Sequence, residues 1–427
     1  MKDWFEMRLG KLVKIKHGFA FKGEYFSDRG DYILLTPGNL NPKGGLKLKG
    51  DKETYYNGDF PRAYILAKGD LIVVMTDLTQ DASILGGAIV IDRPNVYLHN
   101  QRLGLVSHTN EIDRRFLYQY FNWQFFRDQV KASSNGATVK HTSPSRIYQC
   151  RIFRPPVPTQ RRVAAVLSGY DELIENNDRR IALLEQAAAE TYREWFVRLR
   201  FPGFEKMKFV KGVPNGWEVR TLASFASEIK KGVKKKDLAD DEKYIGLEHI
   251  PRRSIAIKEW ATAETVDSNK LLFQERDILF GKIRPYLHKV ALAHFSGACS
   301  SDTIVIRPIE KIYEGYLLFT VFSDTFIELA TVASKGTKMP RADWGFLKKL
   351  ELTVPNRKLL ENYQAQFDAL FSQIVNLLRA NEVLTASRDR LLPRLISGKL
   401  SVENLDIQFP PGMAEELNAE STTTAHA

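Results

Sequence analysis

Lysine is the residue type of this sequence best placed to do chemistry with a partner, because lysines crowd into turn-like segments. Lys14 and Lys16 lie near the start, and Lys230, Lys234 and Lys235 lie at the matching place of the second half. Together with a formal net charge of +11, these clusters favour attraction to a polyanion, and nucleic acid is the leading candidate. The alternative is an excess charge spread evenly over a soluble surface, which composition alone leaves open.

Residue patterns for catalysis are largely missing. The sequence has no Gly-x-x-x-x-Gly-Lys-Ser/Thr phosphate loop and no Gly-x-Gly-x-x-Gly fingerprint. Its eight histidines are scattered without His-Glu-x-x-His or a Cys/His cluster, which argues against zinc. A Glu-x-Lys of the kind found in metal-dependent nucleases occurs at residues 228–230, but the preceding 45 or so residues contain no Asp to complete a metal site. We therefore expect a chain that is not an enzyme and binds no metal or cofactor itself.

Two helices of coiled-coil pattern are attached to the globular segments in which these lysines lie. Apolar or small residues recur at alternating steps of four and three between residues 170 and 195, and the positions 200 further on, 370 to 395, repeat the pattern. An average spacing of about 3.5 residues predicts the seam of a supercoiled helix. The residues expected to pair the helices are Ile174, Asn177, Ile181, Leu184, Ile374, Leu377, Asn381 and Leu384.

The two seams can be buried against each other or against other proteins. We expect them to pair within the chain, and to run antiparallel if the two halves are related by a two-fold axis. Asn177 and Asn381 occupy seam positions. They either set the register at some cost in stability or simply lie near water at an imperfect seam. Pro393 is expected to kink the second helix or to end it near residue 392.

Each helix closes one copy of a duplicated unit. Asp70-Leu71-Ile72 is echoed by Asp277-Ile278-Leu279, and Val157-Pro158 by Val354-Pro355. The globular part of each copy, before its helix, is called its head. The offset between such matches falls from 213 to 197 along the heads and settles at 200 in the helices. Repeats of this length indicate duplicated domains rather than a solenoid.

The fold class predicted from these patterns is α+β, with two mixed domains in a pseudo-two-fold arrangement separated by two long antiparallel coiled-coil helices. Strand-like runs occur at 32–36, 71–75, 88–91, 278–280 and 303–306, and aromatic segments at 115–130 and 312–330 have helical spacing. The expected boundaries are 1–157 and 201–355 for the domains, 158–200 and 356–400 for the helices, and 401–427 for a mostly disordered tail.

The location expected for this chain is the cytoplasm. Its longest apolar runs fall far short of the roughly 20 residues that span a bilayer. The first six residues lack the charged and apolar regions of a secretion signal. Cys150 and Cys299 do not correspond in the repeat, so we expect no structural disulfide.

The motifs occur along the chain in an order that resembles the specificity subunit of a Type I restriction-modification system. The segments that carry the resemblance are 4–18 and 216–232 at the head openings, 136–141 and 336–341 before the helices, and 171–177, 194–203 and 391–398. The resemblance covers the chain from residue 4 to about residue 405.

The resemblance implies that each head is a target recognition domain for one half of an asymmetric, bipartite DNA sequence, and that the helices set the spacer between the halves. It further implies methyltransferase subunits, expected as two copies, that dock on the helices and bind S-adenosylmethionine, and restriction subunits that use ATP and Mg. Three alternatives stay open: a self-sufficient DNA methyltransferase or nuclease, the recognition subunit of a related restriction system with a fused methylase-nuclease partner, and a coiled-coil scaffold that binds no DNA.

Double-stranded DNA is then the expected ligand. Phosphate contacts set affinity and salt sensitivity, and the residues expected to make them are Lys14, Lys16, Lys22, Lys140, Lys230, Lys234, Lys235 and Lys338. Base readers are expected in the loops after the central strands, at Thr76, Thr79, Gln80, Lys282, Arg284 and Tyr286. Further contacts are expected from Thr138, His141, Thr337 and Arg341 in the segments before the helices.

Arg284 can pair with guanine and Gln80 with adenine through two hydrogen bonds each. Alternatively, Arg284 only steadies its loop or binds a phosphate. Gly136 and Gly336 either let the backbone approach DNA closely or merely supply a positive φ.

Overall fold

Long helices end both halves of the chain, as the seam pattern predicts. The computed structural model describes residues 4–42, 44–79, 81–210, 212–334, 339–410 and 413. The chain divides into unit 1, Met1–Leu173 with Leu384–Ala427, and unit 2, Ile174–Val383. In chain order the α-helices are α1 (Arg114–Asn122), α2 (Gln124–Ala132), α3 (Pro144–Gln149), α4 (Val157–Tyr192), α5 (Glu314–Phe322), α6 (Asp324–Val332), α7 (Trp344–Leu347) and α8 (Arg357–Ile396).

Alternating apolar residues build the sheets of unit 1. Its strands are β1 (Phe5–Arg8), β2 (Val13–His17), β3 (Phe26–Ser27), β4 (Ile33–Leu35), β5 (Tyr55–Tyr56), β6 (Leu71–Val74), β7 (Thr76–Asp77), β8 (Ala88–Val90), β9 (Tyr97–His99), β10 (Leu103–His108), β11 (Lys140–His141) and β12 (Arg151–Arg154). β2, β10, β6 and β8 pair in that order as an antiparallel sheet. β3, β5, β4 and β9 form a second sheet in which β4 and β9 are parallel. In β2 the burial follows the expected period of two, since Val13 and Ile15 are buried while Lys14 and Lys16 are exposed.

Unit 2 repeats this plan. Its strands are β13 (Phe209–Val210), β14 (Val213–Pro214), β15 (Glu218–Thr221), β16 (Ala226–Ile229), β17 (Gly232–Val233), β18 (Lys243–Ile245), β19 (Ala261–Thr262), β20 (Lys270–Phe273), β21 (Ile278–Gly281), β22 (Val290–Leu292), β23 (Gly297–Cys299), β24 (Thr303–Pro308) and β25 (Glu351–Val354). β16, β24, β21 and β22 form the antiparallel sheet. β17, β20, β23, β18 and β19 form the second sheet, in which β18 and β23 are parallel.

The same order of strands in the main sheets, and a parallel pair in each second sheet, confirm the predicted duplication and the mixed fold class. Corresponding helices keep one offset, because α1 begins at Arg114 and α5 at Glu314, while α4 begins at Val157 and α8 at Arg357. One predicted match is wrong. β25 ends at Val354 and its counterpart β12 ends at Arg154, so residue 154, and not residue 157, corresponds to Val354.

Each aromatic helical segment is broken into two helices. α1 ends at Asn122 before α2, and α5 ends at Phe322 before α6. The break in unit 2 has a local cause, since Ser323 is extended and its hydroxyl accepts the Phe326 N–H at 3.2 Å. A serine in this role caps a new helix and stops the preceding one.

Helix α5 is apolar around most of its circumference because it lies inside unit 2. Leu317, Leu318 and Phe319 are buried in the core of that unit. Among the described residues no single helix is long and apolar enough to cross a membrane. The segments Lys311–Phe322 and Asp324–Val332, bent by 63°, meet the length and composition criteria only when taken together.

Within each unit, α4 and α8 run antiparallel. In unit 1, Arg388 of α8 donates to the carboxylate of Asp171 at 2.7 Å. In unit 2, Asn177 of α4 donates to Asn381 of α8 at 2.8 Å. Farther along the chain in that unit, the ring of Trp195 lies 5.7 Å from that of Tyr363. Trp195, in the helical turn that follows α4, therefore meets an earlier residue of α8 than Asn177 does, as an antiparallel seam requires.

The sequence predicts Asn356 as the N-cap of α8 and Gly398 as its stop, and the structure has both. Asn356 caps its first turn, accepting the Leu359 N–H at 3.0 Å. Pro393 does not end the helix, which continues to Ile396. Proline removes one backbone hydrogen bond there, but Leu395 and Ile396 are fully buried in the core of unit 1. Their burial offsets the lost bond, and Gly398 then ends the helix with a φ of +74°.

The first part of the predicted tail packs on unit 1. Val402 is buried, and Ile407 and Phe409 pack against the same core. Arg162 donates to the carbonyls of Val402 and Glu403 at 3.3 and 3.0 Å. The prediction of a tail from residue 401 missed this segment, because apolar residues spaced this irregularly give no helical or strand period.

Two buried tyrosines in unit 2 differ in whether the hydroxyl is hydrogen-bonded, so each serves as a control for substitution of the other. Among the described residues the Tyr363 hydroxyl has no hydrogen-bond partner, whereas the Tyr316 hydroxyl donates to the Thr353 carbonyl at 2.9 Å. An unpaired buried hydroxyl costs about 1–3 kcal/mol. We expect Tyr363→Phe to raise the free energy of unfolding by about 1 kcal/mol and Tyr316→Phe to lower it by about the same. Urea unfolding of both variants tests this, and equal losses in the two would contradict it.

Candidate nucleic-acid interface

One edge of the main sheet in unit 1 gathers several of the predicted DNA contacts. β2 and β6 both run antiparallel to β10, with His17 opposite Gly104 and Val74 opposite Leu103. The ends of β2 and β6 and the start of β10 therefore lie at the same edge, which we call the recognition edge of unit 1. Thr76, the first residue of β7, follows β6 after Met75 at this edge.

A hairpin of residues 135–141 is attached to this edge. Asn135 and His141 exchange two backbone hydrogen bonds of 2.9 Å. β11 pairs with β7, placing Lys140 opposite Asp77 and His141 opposite Thr76. The Thr76 hydroxyl and His141 Nδ1 are 3.1 Å apart. The structure thus brings together predicted contacts from two distant parts of the sequence.

Gly136 has an internal reason to be glycine. Its φ is +100°, and a Cβ at this position would lie 1.9 Å from the Val139 carbonyl oxygen. No other residue fits this hairpin without moving the backbone. Of the two interpretations open from the sequence, the structure shows the positive φ. Thr138, near the tip of the hairpin, is exposed, while Gly336, Thr337 and Lys338 of the second copy lie outside the described residues.

Asp77 organises the loop that follows β7. Its buried carboxylate accepts the Thr79 N–H at 2.9 Å, the Thr79 hydroxyl at 2.7 Å and the Ile84 N–H at 2.8 Å. Thr79 is exposed beside this carboxylate. Gln80, the predicted adenine reader, lies outside the described residues.

Unit 2 has an equivalent recognition edge. β16 and β21 end there and β24 begins there, with Ile229 opposite Val305 and Gly281 opposite Thr303. Lys230 follows β16 directly, and Lys282 follows β21.

The loop after β21 pairs with the segment before α7, as in unit 1. Ile283 bridges Arg341, and the Arg284 N–H donates to the Pro340 carbonyl at 2.8 Å. Arg341 Nε lies 3.5 Å from the Asp302 carboxylate, which draws that guanidinium back toward the start of β24. Arg284 is exposed, and the Tyr286 side chain is 54% exposed. These last two side chains are the exposed tips of the loop.

Three of the remaining predicted lysines contact side chains of their own unit. Lys14 is opposite Ser107, toward the other end of β2. The Lys16 ammonium lies 4.5 Å from the centre of the Tyr64 ring, and that of Lys22 lies 4.0 Å from Glu24. Lys230 pairs with Glu228 at 2.9 Å, so the Glu-x-Lys of the sequence forms an ion pair on the surface.

Lys234 and Lys235 are neighbours with different surroundings. Lys235 donates to the carbonyls of Ala263 and Glu264 at 2.7 and 3.2 Å, whereas the side chain of Lys234 is exposed. If both contacted phosphate, each alanine variant would reduce the slope of log K against log salt by about 1. We expect that reduction for Lys234→Ala only. Titrating DNA binding against salt measures both slopes, and a smaller effect for Lys234 than for Lys235 would contradict the assignment.

Sequence reasoning missed some exposed polar and basic side chains near these edges. Gln101 and Arg102 form the exposed turn before β10, at the recognition edge of unit 1. In unit 2, Arg252 and Arg253 are exposed, and Arg252 bridges Lys289 at the end of the loop. Gln101 and Arg102 could have been found from the sequence, because they lie in a turn directly before a strand. The second pair comes from a separate segment, and only the fold brings it to the loop.

The residues expected to pair the helices lie at buried or half-buried positions of α4 and α8. In unit 2, Ile181, Ile374 and Leu377 belong to the hydrophobic core, with Leu184 packed against it. Leu384 is half-buried in unit 1. Ile174 is half-buried, and its carbonyl lies 3.5 Å from the Asn381 amide nitrogen.

Comparisons with known proteins find one family in both halves of the chain. The profile of the Type I restriction modification DNA specificity domain matches residues 1–186 and 214–378. The Type I restriction enzyme MjaIX specificity subunit of Methanocaldococcus jannaschii is 26% identical over 88% of this chain and 85% of its own length. The EcoDI specificity subunit of Escherichia coli is 24% identical over 64% of this chain and 68% of its own length.

A solved structure supports the fold. The crystal structure of a Type I restriction-modification system S subunit from M. genitalium covers 92% of this chain and 96% of its own, with a TM-score of 0.56 at 14% identity. Identity this low shows a similar fold alone.

Proposed function

We propose that this chain, which belongs to the Type I restriction modification DNA specificity domain family, is the specificity subunit that selects the DNA sequence in a Type I restriction-modification complex. Each unit would read one half of a bipartite target through its recognition edge. The observation that carries this proposal is the repeated geometry. In both units, the loop after the central strand pairs with a segment that comes just before a helix.

The two recognition edges present different side chains, which supports an asymmetric target. Unit 1 offers Thr138, Lys140 and His141, whereas unit 2 offers Arg284 and Tyr286. Hydroxyl, imidazole and guanidinium groups favour different base edges in the major groove. Two unlike half-sites, and therefore a non-palindromic sequence, are the expected result.

The partners of the chain follow from the same proposal. Helices α4 and α8 would set the spacer between the half-sites and dock methyltransferase subunits, two in number, while restriction subunits complete the assembly. This chain would carry no catalytic site. S-adenosylmethionine, ATP and Mg would be bound by the partner subunits. Since its DNA substrate lies there, we place the chain in the cytoplasm.

Selection from a library of randomised duplexes tests the proposal directly. The full-length chain is incubated with the library, and the bound duplexes are sequenced. We expect two short conserved blocks of different sequence, separated by a constant number of unspecified base pairs. Affinity should fall steeply with salt, with a log–log slope near −0.9 per phosphate contact. Unenriched sequence together with salt-insensitive binding would favour a scaffold instead, and a palindromic motif would contradict two unlike reading edges.

A further inference from the structure

The loop between β21 and β22 in unit 2 carries two non-glycine residues in the left-handed region. Arg284 has φ +51° and His288 has φ +53°, on either side of a short 3₁₀ turn, Pro285–Leu287. Such residues persist only where the surrounding structure holds them. The backbone supplies part of the hold, since the Arg284 N–H is bonded to Pro340 and the Leu287 N–H to the Arg284 carbonyl, both at 2.8 Å.

The His288 side chain supplies the rest. Its ring is buried, with 3% of the side chain exposed. Nε2 donates to the Phe322 carbonyl at 2.7 Å, and the ring lies 4.6 Å from the Phe322 ring. The His288 carbonyl accepts the Arg253 N–H at 3.0 Å, which ties the neighbouring arginine segment to the same residue.

The partner carbonyl is available because of the helix break. Phe322 is the last residue of α5, and the carbonyls of a last helical turn have no partner within the helix. Burial lowers the pKa of His288, the nearby Arg253 lowers it further, and the bond to Phe322 and the Asp324 carboxylate oppose this. The ring is therefore neutral near pH 7 and donates from Nε2.

In unit 1, a different side chain holds the corresponding loop in shape. The corresponding loop follows β7, and the buried Asp77 carboxylate holds it through Thr79 and Ile84. Each reading loop therefore has one buried polar side chain that fixes its shape: an acceptor in unit 1 and a donor in unit 2.

We propose that His288 and Asp77 are positioning residues for sequence recognition, each fixing the reading loop of its own unit without contacting DNA. This inference rests on the proposed function. Its consequence is that each residue controls the specificity of one half-site only. His288 acts through Arg284 and Tyr286, and Asp77 acts through the loop that begins at Thr79.

The chain offers a matched control for a change at His288. His294 is equally buried in unit 2, and among the described residues neither of its ring nitrogens has a hydrogen-bond partner. It packs beside Trp260 and Phe295, at 6.2 and 4.8 Å between ring centres. His294→Leu therefore tests the loss of a buried imidazole without the loss of a bond that holds the loop.

Selection of the full-length chain against randomised duplexes, with sequencing of bound molecules, provides the test. We expect His288→Leu to lose at least tenfold of the sequence enrichment in one block while leaving the other block unchanged. His288→Gln, which keeps a donor, should recover most of that enrichment, and His294→Leu should leave both blocks intact. Asp77→Ala should degrade the opposite block.

The outcomes separate this inference from the function on which it rests. If the unmodified chain selects no motif, the proposed function is wrong. If it selects two blocks but His288→Leu retains both, or weakens both equally, the positioning role is overturned. Loss of the same block in the Asp77 and His288 variants would overturn it as well. Thermal unfolding of each variant shows whether the loss of a block reflects unfolding of the protein. If it does for His288→Leu, the test of the positioning role rests on His288→Gln. Failure of that variant to recover the block counts against the proposal.

Discussion

Replacing Arg276 by alanine is expected to lower the free energy of unfolding by about 3–5 kcal/mol, the range for removing one partner of a buried ion pair. Arg276 Nε donates to both carboxylate oxygens of Glu314, at 2.9 and 2.8 Å. Glu314 is 2% exposed. Without the guanidinium, its charge would be left in the protein interior with little water to solvate it.

The same arginine joins three parts of unit 2. Arg276 precedes β21, Glu314 begins α5, and Asp368 of α8 also accepts a hydrogen bond from the guanidinium. Lys311 lies 3.1 Å from the Asp368 carboxylate. The sheet is therefore tied to both helices through one side chain, so its removal loosens the attachment of the sheet as well as leaving a charge unpaired.

The loss should depend on pH in a defined direction. Burial raises the pKa of Glu314 above its ordinary value, and Arg276 opposes that rise. In the Arg276→Ala variant the opposition is gone, so the folded-state pKa rises further. A carboxyl with a raised folded pKa favours folding below its unfolded pKa, and that contribution is lost as pH rises through the folded value. The variant should therefore be less destabilised at pH 5 than at pH 8.

Urea unfolding at both pH values measures this. Arg276→Lys keeps the charge but not the paired geometry and should lie between the native chain and the alanine variant. Adding Glu314→Gln to Arg276→Ala should restore part of the stability and remove most of the pH dependence. A loss below about 1 kcal/mol, or a loss equal at both pH values, would show that the ion pair contributes no more than a surface pair.

Local patterns in the sequence predicted most of the secondary structure. The central strands at 71–75 and 278–280 are found as β6 and β21, because apolar runs bounded by turn residues have few alternatives. The helix break at Ser323 was missed although a Ser-Asp pair is a recognisable start signal, since the apolar spacing continues through it. Asn356 and Gly398 marked the ends of α8 because capping chemistry is local.

The candidate site could be predicted only in part, for a physical reason. The loops after the central strands β6 and β21 can be identified as candidate base readers from their position after a strand. The groups that hold them in shape cannot, because His288 and Phe322 are 34 positions apart and no local pattern links them. Pairing of His141 with Thr76 is similarly long-range, across 65 positions.

Single and double substitutions of the asparagine pair between α4 and α8 in unit 2 are expected to change the free energy of unfolding differently. Asn177 is buried and donates to Asn381 at 2.8 Å, while the Asn381 amide nitrogen lies 3.2 Å from the Asp178 carboxylate. Asn381→Leu leaves the Asn177 amide without this partner, which should cost about 1–3 kcal/mol. Replacing both residues by leucine should recover that loss, because an apolar pair then continues the surrounding seam of Ile181 and Leu377.

A double-mutant cycle in urea measures the coupling, with Asn177→Leu as the fourth corner. We expect the double variant to be at least as stable as the native chain, so that the two single losses do not add. That result would mean that the native pair lowers stability and is useful for specifying one register, as a polar residue at a core position does in parallel coiled coils. Simple addition of the two losses would instead mean that each asparagine contributes independently, through contacts such as that of Asn381 with Asp178.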